Sequence, residues 1–376
     1  MRRFLRLVAA VLLPAGLFPA AVHAQGTVSA QGFGYPPGQL STWALSTGGA
    51  VAELDPWSPL NPAAISGANV TSIFAHFAPE SRKVDIGRAT DESRLSRFPV
   101  LGFVLPVGTS GYAGISASSL LDRTWATVRT YPSESGGEGT VESFQSTGGI
   151  TDLRAAGAWS FNRRIQLGAG VHVLTGTNRL SVSRIDRDGT DANFEQRSEV
   201  SYTGLAASAG AIWSPSNILT VGVSGQLGGD IRASLGDSVI GRGTSPARAG
   251  ASVRFAAITG AAFSARAEWT GWSSMQGMGR DGFQALDSWG YGVGADIVGP
   301  KVFGTPVSLR LGGQQRDLPF PVLGMQPKET AFSGGFGLPL ARGRVLVDFA
   351  TQRAVRSVVL AKEVAWTYGV GVTVRP

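Results

Sequence analysis

The stretch Glu363-Val364-Ala365-Trp366-Thr367-Tyr368-Gly369-Val370-Gly371-Val372-Thr373-Val374 decides the fold. Its even positions are Val364, Trp366, Tyr368, Val370, Val372 and Val374; its odd positions are Glu363, Ala365, Thr367, Gly369, Gly371 and Thr373. A period of two puts the first set on one face of a strand and the second on the other. The pattern recurs at Ala261, Phe263, Ala265, Ala267 and Trp269 against Ser264, Arg266, Glu268 and Thr270. It recurs again at Ile165, Leu167, Ala169, Val171 and Val173 against Gln166, Gly168, Gly170 and His172.

Working outward, fourteen such segments are expected: 69–79, 97–107, 110–131, 139–161, 165–187, 193–213, 217–235, 246–257, 260–272, 287–299, 304–314, 329–339, 343–354 and 363–375. Several exceed the about 9–11 residues a tilted strand needs to cross a bilayer. The joins after even-numbered segments are short, as at 108–109 and Ser214-Pro215-Ser216. Most of those after odd-numbered segments are longer, as at 80–96, 132–138, 236–245, 273–286, 315–328 and 355–362. Short periplasmic turns and long external loops mark outer-membrane barrels. The parity places both termini in the periplasm and demands an even strand number.

Aromatic residues fall in two sets, Trp159, Phe161 and Trp213 at the short-turn end and Trp269, Trp272, Trp289, Tyr291 and Trp366 at the other. Two such belts are expected at the two interfaces of a barrel. Inward charges at Arg266, Glu268, Arg310 and Asp348 oppose a soluble sandwich, whose core is dry. The expected fold class is all-β: a transmembrane antiparallel barrel of about fourteen strands in the outer membrane.

Arg2 and Arg3 precede an apolar run from Leu5 to Leu17, and Val22-His23-Ala24 offers a cleavage site after Ala24. This is the layout of a secretory signal peptide, residues 1–24, and its core is too short to span a membrane. The net charge falls from +7 to +4 without the three leader arginines, and no basic cluster sits on a helix, so nucleic acid is not an expected partner. There is no Cys, which excludes disulfides, thiolate metal sites and cysteine nucleophiles. His76 and His172 lie far apart, so neither a metal nor a cofactor is expected, and the chain does not read as an enzyme. The inward His172 keeps a His/Ser hydrolytic centre in the wall open as a minority reading.

Residues 25–68 do not alternate, yet Leu40, Trp43, Leu45, Val51, Leu54, Trp57, Leu60 and Ile65 make them too apolar for a solvated tail. They are expected to form a plug within the barrel formed by 69–376. Gly48-Gly49-Ala50, then Asp55, then Asn61-Pro62-Ala63 resemble the N-terminal segment of the FadL/PorV-type outer-membrane proteins. Leu309-Arg310-Leu311-Gly312, Leu318-Pro319-Phe320, Ser333-Gly334-Gly335-Phe336-Gly337 and Val347-Asp348-Phe349 are similar to the last strands of that group. The C-terminal Val374-Arg375-Pro376 departs from the group's frequent aromatic ending. The resemblance implies fourteen strands and a luminal hatch carrying Gly48, Gly49, Asp55, Asn61, Pro62 and Ala63. In the transporter branch it implies passive passage of hydrophobic, fatty-acid-like small molecules. In the PorV-like branch it implies periplasmic or secretion-system protein partners and no transported substrate. Outer-membrane lipid is a partner in either case.

Two further places draw attention. The loop Leu318-Pro319-Phe320-Pro321-Val322-Leu323-Gly324-Met325 is apolar for an external loop, and Leu318, Phe320, Leu323 and Met325 are candidate ligand-capturing residues. At Leu121-Asp122-Arg123 alternation fails, and a bulge would restore the facing. In FadL-type transporters a break in an early strand opens the wall sideways, so Asp122 and Arg123 mark a candidate lateral exit; the alternative is that they lie above the membrane. An apolar pocket beneath 315–328 favours transport, whereas a lumen filled by the hatch and charges favours the partner role.

Overall fold

One face of each strand carries large apolar residues and the other small or polar ones, so the sheet satisfies both surfaces only by curling until its edges meet. Closure also leaves no unpaired backbone edge in lipid. The computed structural model describes residues 33–86, 89–131, 139–162, 164–187, 193–278, 284–302, 304–322, 324–358 and 361–376. The leader 1–24 lies outside them.

Fourteen antiparallel strands form the ring: β1 (Ser72–Phe77 and Glu80–Ile86), β2 (Ala89–Leu95 and Val100–Val107), β3 (Gly111–Asp122 and Trp125–Tyr131), β4 (Thr140–Asn162), β5 (Ile165–Asp186), β6 (Phe194–Ser216), β7 (Leu219–Leu235), β8 (Ser238–Thr244 and Ala247–Ile258), β9 (Ala261–Gly271), β10 (Ser288–Val302), β11 (Thr305–Asp317), β12 (Lys328–Leu340), β13 (Val345–Val358) and β14 (Ala361–Val374). Each pairs with its neighbours in sequence, and β1 closes the ring on β14 with Ile73 opposite Val374 and Phe77 opposite Val370.

The outer face is apolar. Val171, Leu205, Leu227, Val293, Leu311 and Phe332 are exposed on it, and Trp159, Phe161 and Trp213 ring its short-turn end. Trp289, Tyr291, Trp366 and Tyr368 lie exposed toward the other end. Water would not tolerate this surface, and lipid favours it.

Residues 33–71 run through the interior. α1 (Thr42–Ser46) is capped by the Ser41 hydroxyl, which accepts from the Ala44 N–H at 3.1 Å. A 3-10 turn over Pro62–Ala68 is capped by Asn61, with Pro62 in its first turn. Between them Gly48 and Gly49 take φ of +62° and +77°. Gly48 lies so close to the Gly313 backbone that a Cβ there would overlap it. Leu40, Ala44, Leu45, Val51, Ala52 and Leu60 pack together beneath Ala350 of β13. Burying each large side chain contributes about 1.5–3 kcal/mol.

Three expectations are corrected. Residues 80–96 are not a long external loop: Glu80–Ile86 and Ala89–Leu95 form a ladder, with Glu80 and Arg82 buried on the inner side. The 236–245 and 355–362 connections likewise contain strand, so the contrast between short and long joins is weaker than the sequence implies. Trp272 is not in an outer belt. It begins a 3-10 turn, Trp272–Met278, and is buried against Phe33 with ring centroids 5.6 Å apart.

Candidate functional site

The hatch is seated by charge. Glu53 is fully buried and receives hydrogen bonds from Arg248 of β8 at 2.8 Å, Arg266 of β9 at 3.1 Å and the Ser224 hydroxyl of β7 at 2.5 Å. Burial pushes its carboxyl up, but the two guanidiniums and Ser224 outweigh burial and hold it down at about 2. Arg266 also reaches Glu268 at 2.6 Å. Asp55 serves the hatch itself: it accepts from Ser41, Ser58 and the Trp57 N–H, while burial pushes its carboxyl up. Asn61 accepts from the Ala63 N–H at 2.9 Å and donates to the Glu53 carbonyl at 2.7 Å. Arg310 of β11 pairs with Asp348 of β13 at 2.5 Å, and its guanidinium carbon lies 5.8 Å from the Trp43 ring centroid.

A second anchor surrounds Tyr35. The guanidinium carbons of Arg82, Arg97, Arg316 and Arg356 lie 5.4, 5.4, 5.1 and 4.3 Å from its ring centroid. Its hydroxyl donates to Glu329 at 2.7 Å and accepts from Arg316 and Arg356. Burial pushes the phenol up, to about 12. Leu318 and Phe320 are buried beside Tyr35, so this part of the apolar loop folds inward. Met325 is exposed, and Leu323 lies outside the described residues.

Tyr35 also binds the wall at its weak point. Its N–H and carbonyl exchange hydrogen bonds with Asp122, each 2.8 Å. There the register against β4 shifts between Ser119 and Leu121, and β3 stops at Asp122 to resume at Trp125. Beyond the break Ala89–Leu95 pairs only with β1, and Trp125–Tyr131 only with β4. Among the described residues no ladder joins these two segments. A recess of about 160 Å³ fills the gap, lined by Arg82, Arg94, Leu95, Thr124, Trp125, Ala126 and Gln145 among others.

Behind the gap lies a larger cavity of about 260 Å³, walled by β3 to β8 and Met278. Its lining is mainly apolar, with Phe144, Leu180, Val182, Val200, Leu235 and Ile240; Arg123, Asn178 and Tyr202 supply polar groups. Trp125 and Gln145 line both spaces. Leu120, Leu121, Ile150, Leu174, Tyr202 and Ile231 form a cluster adjoining the cavity. Leu318, Phe320 and Met325 do not line it.

His172 stands apart from this cavity. Its Nδ1 lies 2.8 Å from Asp152 of β4 and its Nε2 2.8 Å from the Ser208 hydroxyl of β6. The order matches that of a hydrolytic triad. Ser208 is only 7% exposed, however, and Gln39 of the hatch donates to Asp152 at 3.1 Å. The arrangement ties the hatch to three strands.

No family model and no curated protein matches the sequence. Solved structures do. Over 92% of its length the chain superposes on a Pseudomonas aeruginosa FadL homologue, covering 100% of that chain, with TM-score 0.63 and 14% identity. The chain has the FadL fold. The CymD monoaromatic hydrocarbon channel shares this fold at TM-score 0.57 and 13% identity, with 90% of this chain and 97% of that one covered. The Pseudomonas putida toluene transporter TodX shares it at TM-score 0.57 and 12% identity, with 89% and 97% covered. The resemblance drawn from the sequence therefore holds at the level of the fold.

Sequence reasoning missed Glu53, Tyr35, Arg248, Arg316 and Arg356. A signal was present for Arg248 alone, which lies in the expected strand 246–257; Arg316 and Arg356 fell in stretches read as connections, and the strands extend over them. Nothing in the sequence indicated which hatch residue would meet them.

Proposed function

We propose that this protein is a passive outer-membrane channel for compact hydrophobic molecules. They enter from the external mouth, occupy the cavity behind β3 to β8 and leave sideways through the gap between β2 and β3. The observation that carries this reading is that cavity and gap lie side by side, with Trp125 and Gln145 lining both. The hatch and the Glu53 ion pairs occupy the middle of the lumen and the Tyr35 ion pairs lie near the external ends of β11 to β14, which obstructs the straight route and favours a lateral one. The apolar cavity lies against β3 to β8, apart from the hatch ion pairs, so a filled lumen alone does not favour a partner-only role. The FadL homologue, CymD and TodX supply the analogy, since the latter two are a monoaromatic hydrocarbon channel and a toluene transporter.

The test uses the absence of native cysteine. Leu95→Cys and Ala126→Cys, on opposite sides of the gap, are bridged by a short bis-maleimide, and uptake of ethylbenzene by whole cells is measured. Bridging is expected to lower uptake at least tenfold, while each capped single variant transports normally. Unchanged uptake in a barrel whose cross-link is confirmed by mass spectrometry overturns the lateral route.

A further inference from the structure

We infer that the short-turn end of the barrel is a cationic collar that binds the headgroups of acidic phospholipids in the leaflet it reaches. This goes beyond the channel reading and uses neither its cavity nor its gap. The turns and their flanks at 106–112, 158–168, 212–221, 256–263, 297–308, 338–346 and 373–376 contain Arg163, Arg164, Lys301, Arg342, Arg344 and Arg375, and not one Asp or Glu. The opposite end carries both signs. Glu195, Glu199, Asp230 and Asp237 stand there among arginines, with exposed ion pairs of Arg179 to Glu199 at 2.8 Å and Arg197 to Glu195 at 2.7 Å.

The collar is exposed and uncompensated. Arg164, Lys301, Arg342 and Arg344 are exposed, and among the described residues no carboxylate pairs with them or with Arg375. Asp348 lies within electrostatic reach of Arg375 but is held by Arg310 at 2.5 Å. Backbone pairing brings two of the cations together, since the Arg375 N–H donates to the Arg344 carbonyl at 2.7 Å. Like charges so placed repel, and an anion from outside relieves them. The adjoining turn holds Ala341 and Arg342 left-handed, at φ of +49° and +59°. Gly or Asn takes that conformation most easily, yet a cation occupies the tip.

Depth identifies the anion. Trp159, Phe161 and Trp213 are exposed on the outer face at this end, and such a girdle sits at headgroup level. Arg164 lies in the turn between Phe161 and Ile165, and its carbonyl accepts from the Ser214 N–H at 2.7 Å, next to Trp213. Elsewhere on the rim Val302 follows Lys301 and Val374 precedes Arg375, both exposed. Phe336 and Phe349 stack on the same wall with centroids 4.9 Å apart. The collar therefore borders a surface for acyl chains, and a lipid meets both at once. A guanidinium donates two parallel hydrogen bonds to a phosphate. Phosphatidylethanolamine brings an ammonium that cancels the attraction, whereas phosphatidylglycerol keeps a net negative charge for basic residues at the interface.

Purified barrel in non-ionic detergent is mixed with equimolar dioleoylphosphatidylglycerol and dioleoylphosphatidylethanolamine, and retained lipid is counted by native mass spectrometry. Phosphatidylglycerol is expected to be retained roughly tenfold over phosphatidylethanolamine. The combined variant Arg164→Gln, Lys301→Gln, Arg342→Gln, Arg344→Gln is expected to bring the ratio within about twofold of unity, each side chain being exposed and free of ion pairs. Arg232→Gln with Arg242→Gln, at the opposite end, is expected to leave the preference intact. Equal retention of the two lipids, a preference that survives the fourfold variant, or one abolished by R232Q with R242Q overturns the inference. So does equal lipid retention with collar-dependent binding of a polyglutamate peptide, which would assign the collar to an acidic protein. The wild-type comparison stands by itself should the fourfold variant not assemble. Lipid counting involves no flux, so its outcome is separate from that of bridging the gap.

Discussion

Replacing Glu53 with Gln removes the charge that seats the hatch and leaves Arg248 and Arg266 to share a neutral amide. The carboxyl is held at about 2, against 4.5 for a free glutamate. At 1.36 kcal/mol per unit this corresponds to on the order of 3 kcal/mol. That agrees with the roughly 3–5 kcal/mol for breaking a buried ion pair. It corresponds to a roughly hundredfold larger fraction of undocked hatch. The sign follows from linkage: a carboxylate whose folded pKa is depressed stabilises fully above its unfolded value and loses that contribution as pH falls toward its folded value. Hatch docking is therefore expected to be flat from pH 7 to about 5 and to weaken from about 4.5 toward 2. Hydrogen exchange of peptides spanning 50–60, corrected for intrinsic rates, reads the opening directly. E53Q at pH 7 should exchange there roughly a hundredfold faster than wild type, with the barrel strands unchanged. Protection within threefold of wild type in an assembled E53Q barrel would refute the electrostatic account of hatch seating.

Three other outcomes are expected. Gly210→Ala places a Cβ onto the Asn61 carboxamide; at about 1–3 kcal/mol for overpacking, peptides spanning 61–68 should lose protection, and unchanged exchange would contradict the close approach. Tyr35→Phe deletes a hydroxyl bound to Glu329, Arg316 and Arg356; a loss of about 1–3 kcal/mol in local protection over 33–41 is expected by exchange. Val171→Arg puts a charge on the lipid face, where Val171 is 64% exposed; folding into bilayers, followed by denaturant titration, should weaken by about 2–4 kcal/mol, and a neutral effect would move this face out of the membrane.

The wall was legible because lipid on one side and a packed lumen on the other force a period of two. Legibility ended where the strands rise beyond the apolar belt. Glu80 to Ile86 alternates buried Arg82 and Val84 with half-exposed Ser81 and exposed Lys83, so polarity no longer distinguishes the faces. Pro79, Pro99 and Pro246 fall at the breaks of β1, β2 and β8, where a missing N–H ends the ladder. A strand that resumes after such a proline resembles a loop. The break in β3 has no proline, and only the adjacent Asp122 and Arg123 signalled it. On the hatch, Asp55 stood out through the family resemblance, whereas Glu53 makes the wall contacts. Its partner Arg248 lies 195 residues away, and one sequence carries no record of such a pairing.

Tyr35 and Arg356 are separated by 321 residues, and Tyr35 and Glu329 by 294. The hatch precedes the barrel strands in the chain, and its Tyr35 anchor is complete only once β12 and β13 have taken their places in the sheet. Contacts of such separation carry a large loop-closure cost and form slowly. Until then the apolar residues from Leu40 to Ile65 lack part of their native cover, and such surface is prone to aggregate. Closing β1 onto β14 and docking the hatch draw on opposite ends of the same polypeptide. A chain truncated before β14 would forfeit ring closure together with the Glu363 carboxylate that accompanies Arg356 at the Tyr35 anchor.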